Sequence, residues 1–205
     1  LLSISGISQV YAAIIPWPTT LDVLAQDGSL ALVNDKQFSN FTISTGGDIA
    51  SDIKVTRLID TAGNPGMTFT ALNGALTSSA TGLEQLSFKF DVTVLDPNKR
   101  IKDVEITTTA NGTSWWTSET LYDPGKSGLD FFSHVSTFES AHSPANDVFT
   151  PRKTLTAMYF AQVSDGEDIQ SMTITFSQMT VPIPAAIWLF ISGCGLLIGV
   201  IRKRA

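Results

Sequence analysis

The sequence predicts an all-β protein, an antiparallel β-sandwich of jelly-roll type, followed by a single C-terminal transmembrane helix. Three observations favour this: short segments alternate apolar and polar residues, Gly, Asn, Asp and Pro separate them, and the chain ends in an uncharged apolar run. Period-two alternation buries one face of a strand and leaves the other in water. Many short strands separated by turn residues are typical of sandwiches.

Composition limits the classes of function. The chain has 205 residues, enough for one domain of moderate size. Charged residues make up 16% of the chain and the net charge is −6, which excludes the basic surface that binds nucleic-acid phosphates. Cys194 is the only cysteine, so the 205 residues hold no disulfide pair. Ser and Thr make up more than a fifth of the chain and often alternate with apolar residues, a composition that suits an extracytoplasmic sheet protein.

Residues 1–12, LLSISGISQVYA, resemble the end of a secretory signal peptide. Small or compact residues stand at the positions before the expected cut, Val10 and Ala12. The alternative is an apolar edge strand of the domain. We therefore expect a remnant of a signal peptide over 1–12 and one β-sandwich domain over 13–179.

The clearest strand covers residues 85–96. Leu86, Phe88 and Phe90 alternate there with polar residues. Asp-Pro-Asn at 96–98 supplies a turn, and a second strand follows over 101–109. We predict that these two strands form a hairpin.

Similar patterns predict strands over 30–33, 36–43, 52–59, 67–72, 154–163 and 169–179. Residues 164–168, Ser-Asp-Gly-Glu-Asp, indicate a hairpin turn between the last two. Residues 20–28 could form one helical turn. Among residues 13–179, no long segment shows the 3.6-residue period of a helix.

The apolar run over 185–201 carries no charge. As a helix it would extend about 25 Å, just enough to cross a thin hydrocarbon core. Arg202, Lys203 and Arg204 follow it directly. Because cytoplasmic flanks carry such basic clusters, we expect the N-terminal side to lie outside the cytoplasm.

The residues before this run complete a recognisable pattern. Val181, Pro182, Pro184 and Ala185, then the apolar run, then the basic cluster resemble a PEP-CTERM sorting signal of the VPxPA type over 181–205. The first motif letter is Val instead of the Pro of the family's name. The resemblance implies an exported Gram-negative protein that is held briefly in the inner membrane and cut by exosortase, a membrane cysteine protease. Delivery to the cell surface or to an exopolysaccharide matrix, or biofilm, would follow.

A second segment, residues 27–44, resembles a recurrent N-terminal part of PEP-CTERM surface proteins. The matching positions are Asp35, Lys36, Phe38, Ser39, Asn40 and Phe41. The resemblance supports the same family and assigns no chemistry to these side chains.

Trp115 and Trp116 are the best candidates for ligand contact. In a strand, adjacent side chains face opposite sides, so one indole would enter the core and the other would lie on the surface. An exposed indole provides a platform on which a sugar ring can stack. The alternative is that both Trp residues are core or loop plugs, which is common in sandwiches.

The two histidines suggest a metal site only weakly. His134 and His142 flank Glu139, but their spacing matches neither a helical zinc motif nor a zinc knuckle. We favour a solvated loop and assign no metal.

Calcium is a further alternative. Asp165, Glu167 and Asp168 offer hard oxygen ligands, with Asp147 or Asp123 as distant partners. The alternating EF-hand pattern is absent from these residues, so we favour an ordinary acidic turn and expect no cofactor.

No strained Gly-x-Ser-x-Gly elbow appears in the sequence, and spacing alone identifies no pair of catalytic carboxylates. The sequence therefore favours a non-enzymatic, exported surface or matrix protein. A carbohydrate-binding module is the alternative, and an enzyme acting on an extracellular polymer comes third.

Overall fold

The computed structural model describes residues 13–124, 131–138 and 142–181. Within these residues the chain forms thirteen strands, one four-residue helix and one 3₁₀ turn. The strands are β1 (Ala13–Ile14), β2 (Thr19–Thr20), β3 (Ser29–Val33), β4 (Lys36–Thr45), β5 (Ile53–Ile59), β6 (Pro65–Ala71), β7 (Leu83–Val94), β8 (Lys99–Asn111), β9 (Trp115–Tyr122), β10 (Phe131–Phe138), β11 (His142–Arg152), β12 (Thr154–Ser164) and β13 (Asp168–Thr180). Helix α1 (Leu21–Leu24) precedes β3, and the 3₁₀ turn Ala50–Asp52 precedes β5.

The strands form two packed sheets. Sheet A has seven strands in the order β1-β3-β4-β7-β12-β9-β10, and sheet B has six in the order β11-β8-β13-β6-β5-β2. Among the described pairings, β1 with β3 is parallel and the others are antiparallel. The predicted antiparallel β-sandwich is therefore confirmed, while its jelly-roll type stays a prediction.

Most predicted elements are present with small differences at their ends. The segments predicted as strands over 30–33, 36–43, 52–59 and 67–72 are β3, β4, β5 and β6. The later segments over 85–96, 101–109, 154–163 and 169–179 are β7, β8, β12 and β13. The helical turn expected within 20–28 is α1. Alternation of apolar and polar residues therefore located these elements correctly.

Both of the hairpins predicted from turn residues are wrong. Strand β7 pairs with β4 and β12 in sheet A, whereas β8 pairs with β11 and β13 in sheet B. Strands β12 and β13 also lie in different sheets, although Asp165 and Gly166 between them have the positive φ angles of a tight turn. Each of these turns passes the chain from one sheet to the other, so that both strands place an apolar face on the shared core.

Strands β10 and β11 were not predicted from the sequence, and β9 was considered as a strand only around Trp115 and Trp116. His134 lies in β10 and His142 lies in β11. The prediction that these two residues belong to a loop is therefore wrong. Their alternation is weak because Ser, Thr and His occupy many positions. Backbone pairing places them in the sheets: β9 pairs with β12 and β10, and β11 pairs with β8.

A continuous set of aromatic rings fills the space between the sheets. Phe88 of sheet A lies 4.8 Å from Phe69 of sheet B, measured between ring centroids. Phe38 and Phe90 of sheet A both approach Phe176 of sheet B, at 6.1 and 6.4 Å. All five rings are fully buried. The core therefore lies between β4 and β7 on one side and β6 and β13 on the other.

The predicted signal-peptide remnant over 1–12 and the predicted membrane helix over 185–201 lie outside the described residues. So do Pro182, Pro184 and Ala185 of the motif and the basic residues at 202–204. Over 13–124, 131–138 and 142–181, no helix is long and apolar enough to cross a membrane.

Gly66 of β6 lies so close to the backbone of β13 that a side chain has no room there. A Cβ atom at this position would lie 2.0 Å from the carbonyl oxygen of Ile174 and 2.9 Å from the Cα of Thr175. Both contacts are with backbone atoms, so a side chain would have to push β6 away from β13.

Gly66→Ala is expected to lower the free energy of unfolding by about 1–3 kcal/mol, as overpacking does in tight interiors. Gly47→Ala is the matched control, because a Cβ there meets no atom within 4 Å, and its effect should stay within about 0.5 kcal/mol. Urea unfolding of both variants measures the difference. Equal stabilities would show that β6 and β13 can separate without cost.

Candidate functional site

Adjacent tryptophans at the start of β9 face opposite sides of sheet A. Trp115 is 3% exposed and packs in the core, whereas Trp116 is 37% exposed on the outer face. This is the arrangement expected for neighbours in a strand. Trp115 is therefore a core residue, and of the two candidates for ligand contact only Trp116 is available on the surface.

Trp116 forms one wall of a shallow cleft with Phe160 of β12. Their ring centroids are 5.0 Å apart and the ring planes meet at 53°. The cleft has a volume of about 260 Å³. It is lined by Trp116, Ser118, Thr120, Tyr122, His134, Met158 and Phe160.

Strand register brings the two rings together. In the β9–β12 pair, Phe160 stands opposite Ser118 and Trp116 stands opposite Gln162. The rings are therefore diagonal neighbours on one face, within reach of each other across the strands. Forty-four positions separate them in sequence, so no local motif could have indicated the pair.

Hydrogen-bonding groups lie beside the rings. His134 of β10 stands opposite Thr120, and its Nδ1 lies 2.9 Å from the Thr120 hydroxyl. The His134 ring is exposed, as is Phe131, whose centroid lies 6.2 Å from it. The cleft therefore combines an apolar platform with an imidazole and hydroxyls that can bind a polar ligand.

The polar surface continues from the cleft onto β7. Gln85 donates to Gln162 over 2.9 Å, which places an amide pair next to Trp116. Asp91 accepts from the Thr156 hydroxyl at 2.5 Å and from the Asn40 amide at 2.7 Å. The outer face of sheet A thus carries aromatic rings at one edge and fixed amides and a carboxylate further in.

No family model matches the chain, and no curated protein matches it. Solved structures similar to it include the TmCBM61 module in complex with β-1,4-galactotriose, at 12% identity and a TM-score of 0.37, covering 69% of this chain and 89% of that one. The K1 cleaved adhesin domain of Lys-gingipain from Porphyromonas gingivalis W83 is 9% identical, with a TM-score of 0.40 over 81% of this chain and 98% of that one. Caldicellulosiruptor saccharolyticus CBM27-1 in complex with mannohexaose is 10% identical, with a TM-score of 0.33 over 68% and 89%. At TM-scores below 0.5 these similarities assign neither a family nor a ligand to this chain.

The carboxylates considered for calcium each have their own partner. Asp168 accepts from the Asn111 amide at 2.8 Å, and Glu167 accepts from the backbone amide of Ser114. Asp147 accepts from the Ser133 hydroxyl at 2.6 Å. In the described part of the chain, no three His, Cys, Asp or Glu side chains gather as a metal site would require.

Asp123 pairs with Arg152, whose guanidinium also lies 3.9 Å above the Phe132 ring. Glu139, the third member of the histidine group, lies outside the described residues, as does the side chain of His142. Among the described side chains of residues 134–142, closeness in sequence therefore does not bring together a set of metal ligands.

The inner face of β9 carries a buried acid. Glu119 is fully buried, and neither of its carboxylate oxygens has a hydrogen-bond partner among the described residues. Burial raises the pKa of Glu119 well above its ordinary value. Tyr159 stands opposite it on β12, where burial and the neighbouring Glu119 raise the pKa of the phenol as well. Both shifts favour the neutral form of these side chains in the folded state.

Three buried hydroxyls lie near this acid. Thr117 of β9 lies 2.6 Å from Thr108 of β8 and 2.6 Å from Thr137 of β10, and Thr108 and Thr137 are 3.3 Å apart. Because β8 belongs to sheet B, this cluster joins the two sheets through side chains.

Glu119→Gln is expected to become more stabilising relative to the native chain as the pH rises. The folded pKa of Glu119 lies above the unfolded one, so the stability due to the neutral acid is complete below about pH 4.5 and is lost as the pH rises through the folded pKa. Each unit of elevation corresponds to about 1.4 kcal/mol. Urea unfolding between pH 4 and 9 measures the difference between the two proteins.

The exposed Glu105 on β8 provides the control. Glu105→Gln separates burial of the acid from the general effect of removing one negative charge. A stability difference for Glu119→Gln that stays constant across the pH range would contradict the neutral buried acid.

Proposed function

We propose that the chain is a glycan-binding β-sandwich module whose ligand lies on the outer face of sheet A. The observation that supports this is the exposed pair formed by Trp116 and Phe160, set in a cleft between hydroxyls and an imidazole. A sugar ring has an apolar face of C–H groups and an edge of hydroxyls. Aromatic rings beside fixed polar groups complement both parts.

The polar groups next to the rings favour binding over chemistry. Asp91 is engaged by Thr156 and Asn40, and Gln85 is engaged by Gln162. Such groups are held in place to accept or donate hydrogen bonds, and the cleft lining includes no carboxylate. A catalytic pair of acids, as glycosidases use, has no counterpart among the residues that line this cleft.

The charge of the chain indicates which glycans would bind. The net charge is −6, while on β7 beside the cleft the exposed Lys89, opposite the cleft residue Met158, balances the negative charge of Asp91. Repulsion by the net charge would weaken binding of polymers rich in uronic acid or sulfate. The proposed ligand is therefore a neutral oligosaccharide or polysaccharide.

Trp116→Ala is expected to weaken glycan binding about tenfold or more, because losing one aromatic contact costs on the order of 1.5 kcal/mol. Affinity electrophoresis through gels containing neutral galactan, mannan or xylan, or acidic alginate, measures the retardation. Ile59→Ala is the matched control, since Ile59 is 54% exposed but lies on β5 of sheet B. The proposal would be overturned if no neutral polymer retarded the native chain. It would also be overturned if Trp116→Ala were retarded as strongly as the native chain.

As a second proposal, the module is exported and released by cleavage of its C-terminal tail. The support is the sequence of the tail: the motif at 181–185, the apolar run over 185–201 and the basic residues at 202–204. An exosortase-type membrane protease would be the processing partner, and the surface or exopolysaccharide matrix the destination.

One structural observation suits this order of events. The backbone amide of Val181 donates to the carbonyl of Asn98 at 2.7 Å, directly after β13 ends at Thr180. The motif therefore starts where the sandwich ends. A cut beyond residue 181 would leave all described strands complete.

Replacing both Pro182 and Pro184 with Ala is expected to leave the full-length chain in the inner membrane of an exosortase-containing Gram-negative host. Intact mass and membrane fractionation provide the measurement, and Pro97→Ala in the β7–β8 turn provides the control. A native chain recovered from the cell surface at full-length mass would contradict processing.

A further inference from the structure

Lys36, the first residue of β4, is fully buried. It belongs to the segment over 27–44 to which the sequence assigned no chemistry. Its side chain extends between the sheets toward Gln178 of β13, which belongs to sheet B. A buried lysine is rare unless it is paired, so its surroundings call for an explanation.

Three functional groups converge at this point. Lys36 Nζ lies 3.3 Å from the amide oxygen of Gln178. The Gln178 amide nitrogen donates to Asp35 Oδ2 at 3.0 Å and to Asp35 Oδ1 at 3.3 Å. Asp35 Oδ1 also lies 3.9 Å from Lys36 Nζ. One carboxylate oxygen therefore stands between the amine and the amide nitrogen.

The surroundings make the amine nucleophilic. Burial lowers the pKa of Lys36 from its ordinary 10.5 to about 8, although Asp35 opposes this effect. Roughly a tenth of the amine is then uncharged at pH 7, far more than for an exposed lysine. Lys36 stands opposite the buried Val94 on β7, so the amine has an apolar residue on its neighbouring strand.

We propose that Lys36 and Gln178 join in an intramolecular isopeptide bond, with Asp35 as the proton carrier. The Lys36 Nζ lone pair attacks Cδ of Gln178 and forms the new C–N bond. Asp35 accepts the proton that Nζ loses and gives it to the amide nitrogen. The bond between Cδ and that nitrogen breaks, and one molecule of ammonia leaves. The reaction requires no oxidant, reductant or cofactor.

The placement of the bond distinguishes it from a surface modification. The two residues are 142 positions apart and belong to different sheets. The bond would tie β4, early in the chain, to the last strand. Because a covalent tie between distant residues restricts the unfolded chain, the linked protein should melt at a higher temperature than unlinked variants.

Lys99 is a second lysine beside Asp35, but it lacks the burial of Lys36 and its contact with Gln178. Its Nζ lies 3.3 Å from Asp35, but its side chain is 35% exposed. Its amine donates a hydrogen bond to Asp35, whereas the amine of Lys36 donates to the Gln178 amide oxygen. Lys99 therefore serves as an internal control for proximity to Asp35 alone.

The test is the intact mass of the full chain, purified folded, held at pH 9 and then denatured. The expected mass is about 17 Da below that of the unlinked sequence, the mass of ammonia. Protease digestion should yield a branched peptide that joins the segments containing Lys36 and Gln178. The branched peptide is needed because succinimide formation at Asn-Gly also releases ammonia.

Lys36→Met and Asp35→Asn should both restore the unlinked mass, and Lys99→Arg should keep the linked mass. Circular dichroism confirms that each variant is folded, and Asp35→Asn keeps both linked residues if Lys36→Met fails to fold. A native chain that shows the unlinked mass after incubation would overturn the proposal. So would a branched peptide that persists at its full yield in Asp35→Asn, because the proton carrier would then be unnecessary.

Discussion

The two sheets depend on the row of aromatic rings between them. Phe69 and Phe176 of sheet B insert between rings of sheet A, and the centroid distances of 4.8 to 6.4 Å are those of packed aromatic pairs. These contacts bury the large rings without any polar partner. Strand β8 lies beside β13 in sheet B and buries Ile101, Val104 and Ile106 in the same core.

Successive side chains of a strand point to opposite faces of the sheet. The residues that enter the aromatic core therefore determine which side chains lie on the outer face. On β9 the inner face holds Trp115, Thr117 and Glu119, and the outer face holds Trp116, Ser118 and Thr120. The same strand therefore carries a buried acid and an open cleft at neighbouring positions. A shift of the β9 register by one residue would exchange the two faces, so the cleft requires the core packing of this strand.

The sequence predicted the positions of strands whose apolar and polar residues alternate strongly. It did not predict which strands pair with one another. The segments around Phe88 and Phe176 were predicted as strands because their apolar residues recur every second position. The turns at 96–98 and 164–168 were located correctly, but turn residues do not state which sheet receives the next strand. The sequence predicts that either Trp115 or Trp116 is exposed, without deciding which. Phe160 and His134 lie near Trp116 only because of the register of β12 and β10 against β9. Contacts such as Lys36 with Gln178 leave no local signal at all.

The hydroxyl cluster of Thr108, Thr117 and Thr137 also has a consequence for how the sheets align. Apolar surfaces attract each other at many offsets, since hydrocarbon contacts have little directional preference. A hydrogen bond of 2.6 Å between Thr108 and Thr117 is satisfied at one offset, and sliding would leave buried hydroxyls facing hydrocarbon. The three threonine hydroxyls therefore select one alignment of the two sheets from the many that apolar contacts alone would allow.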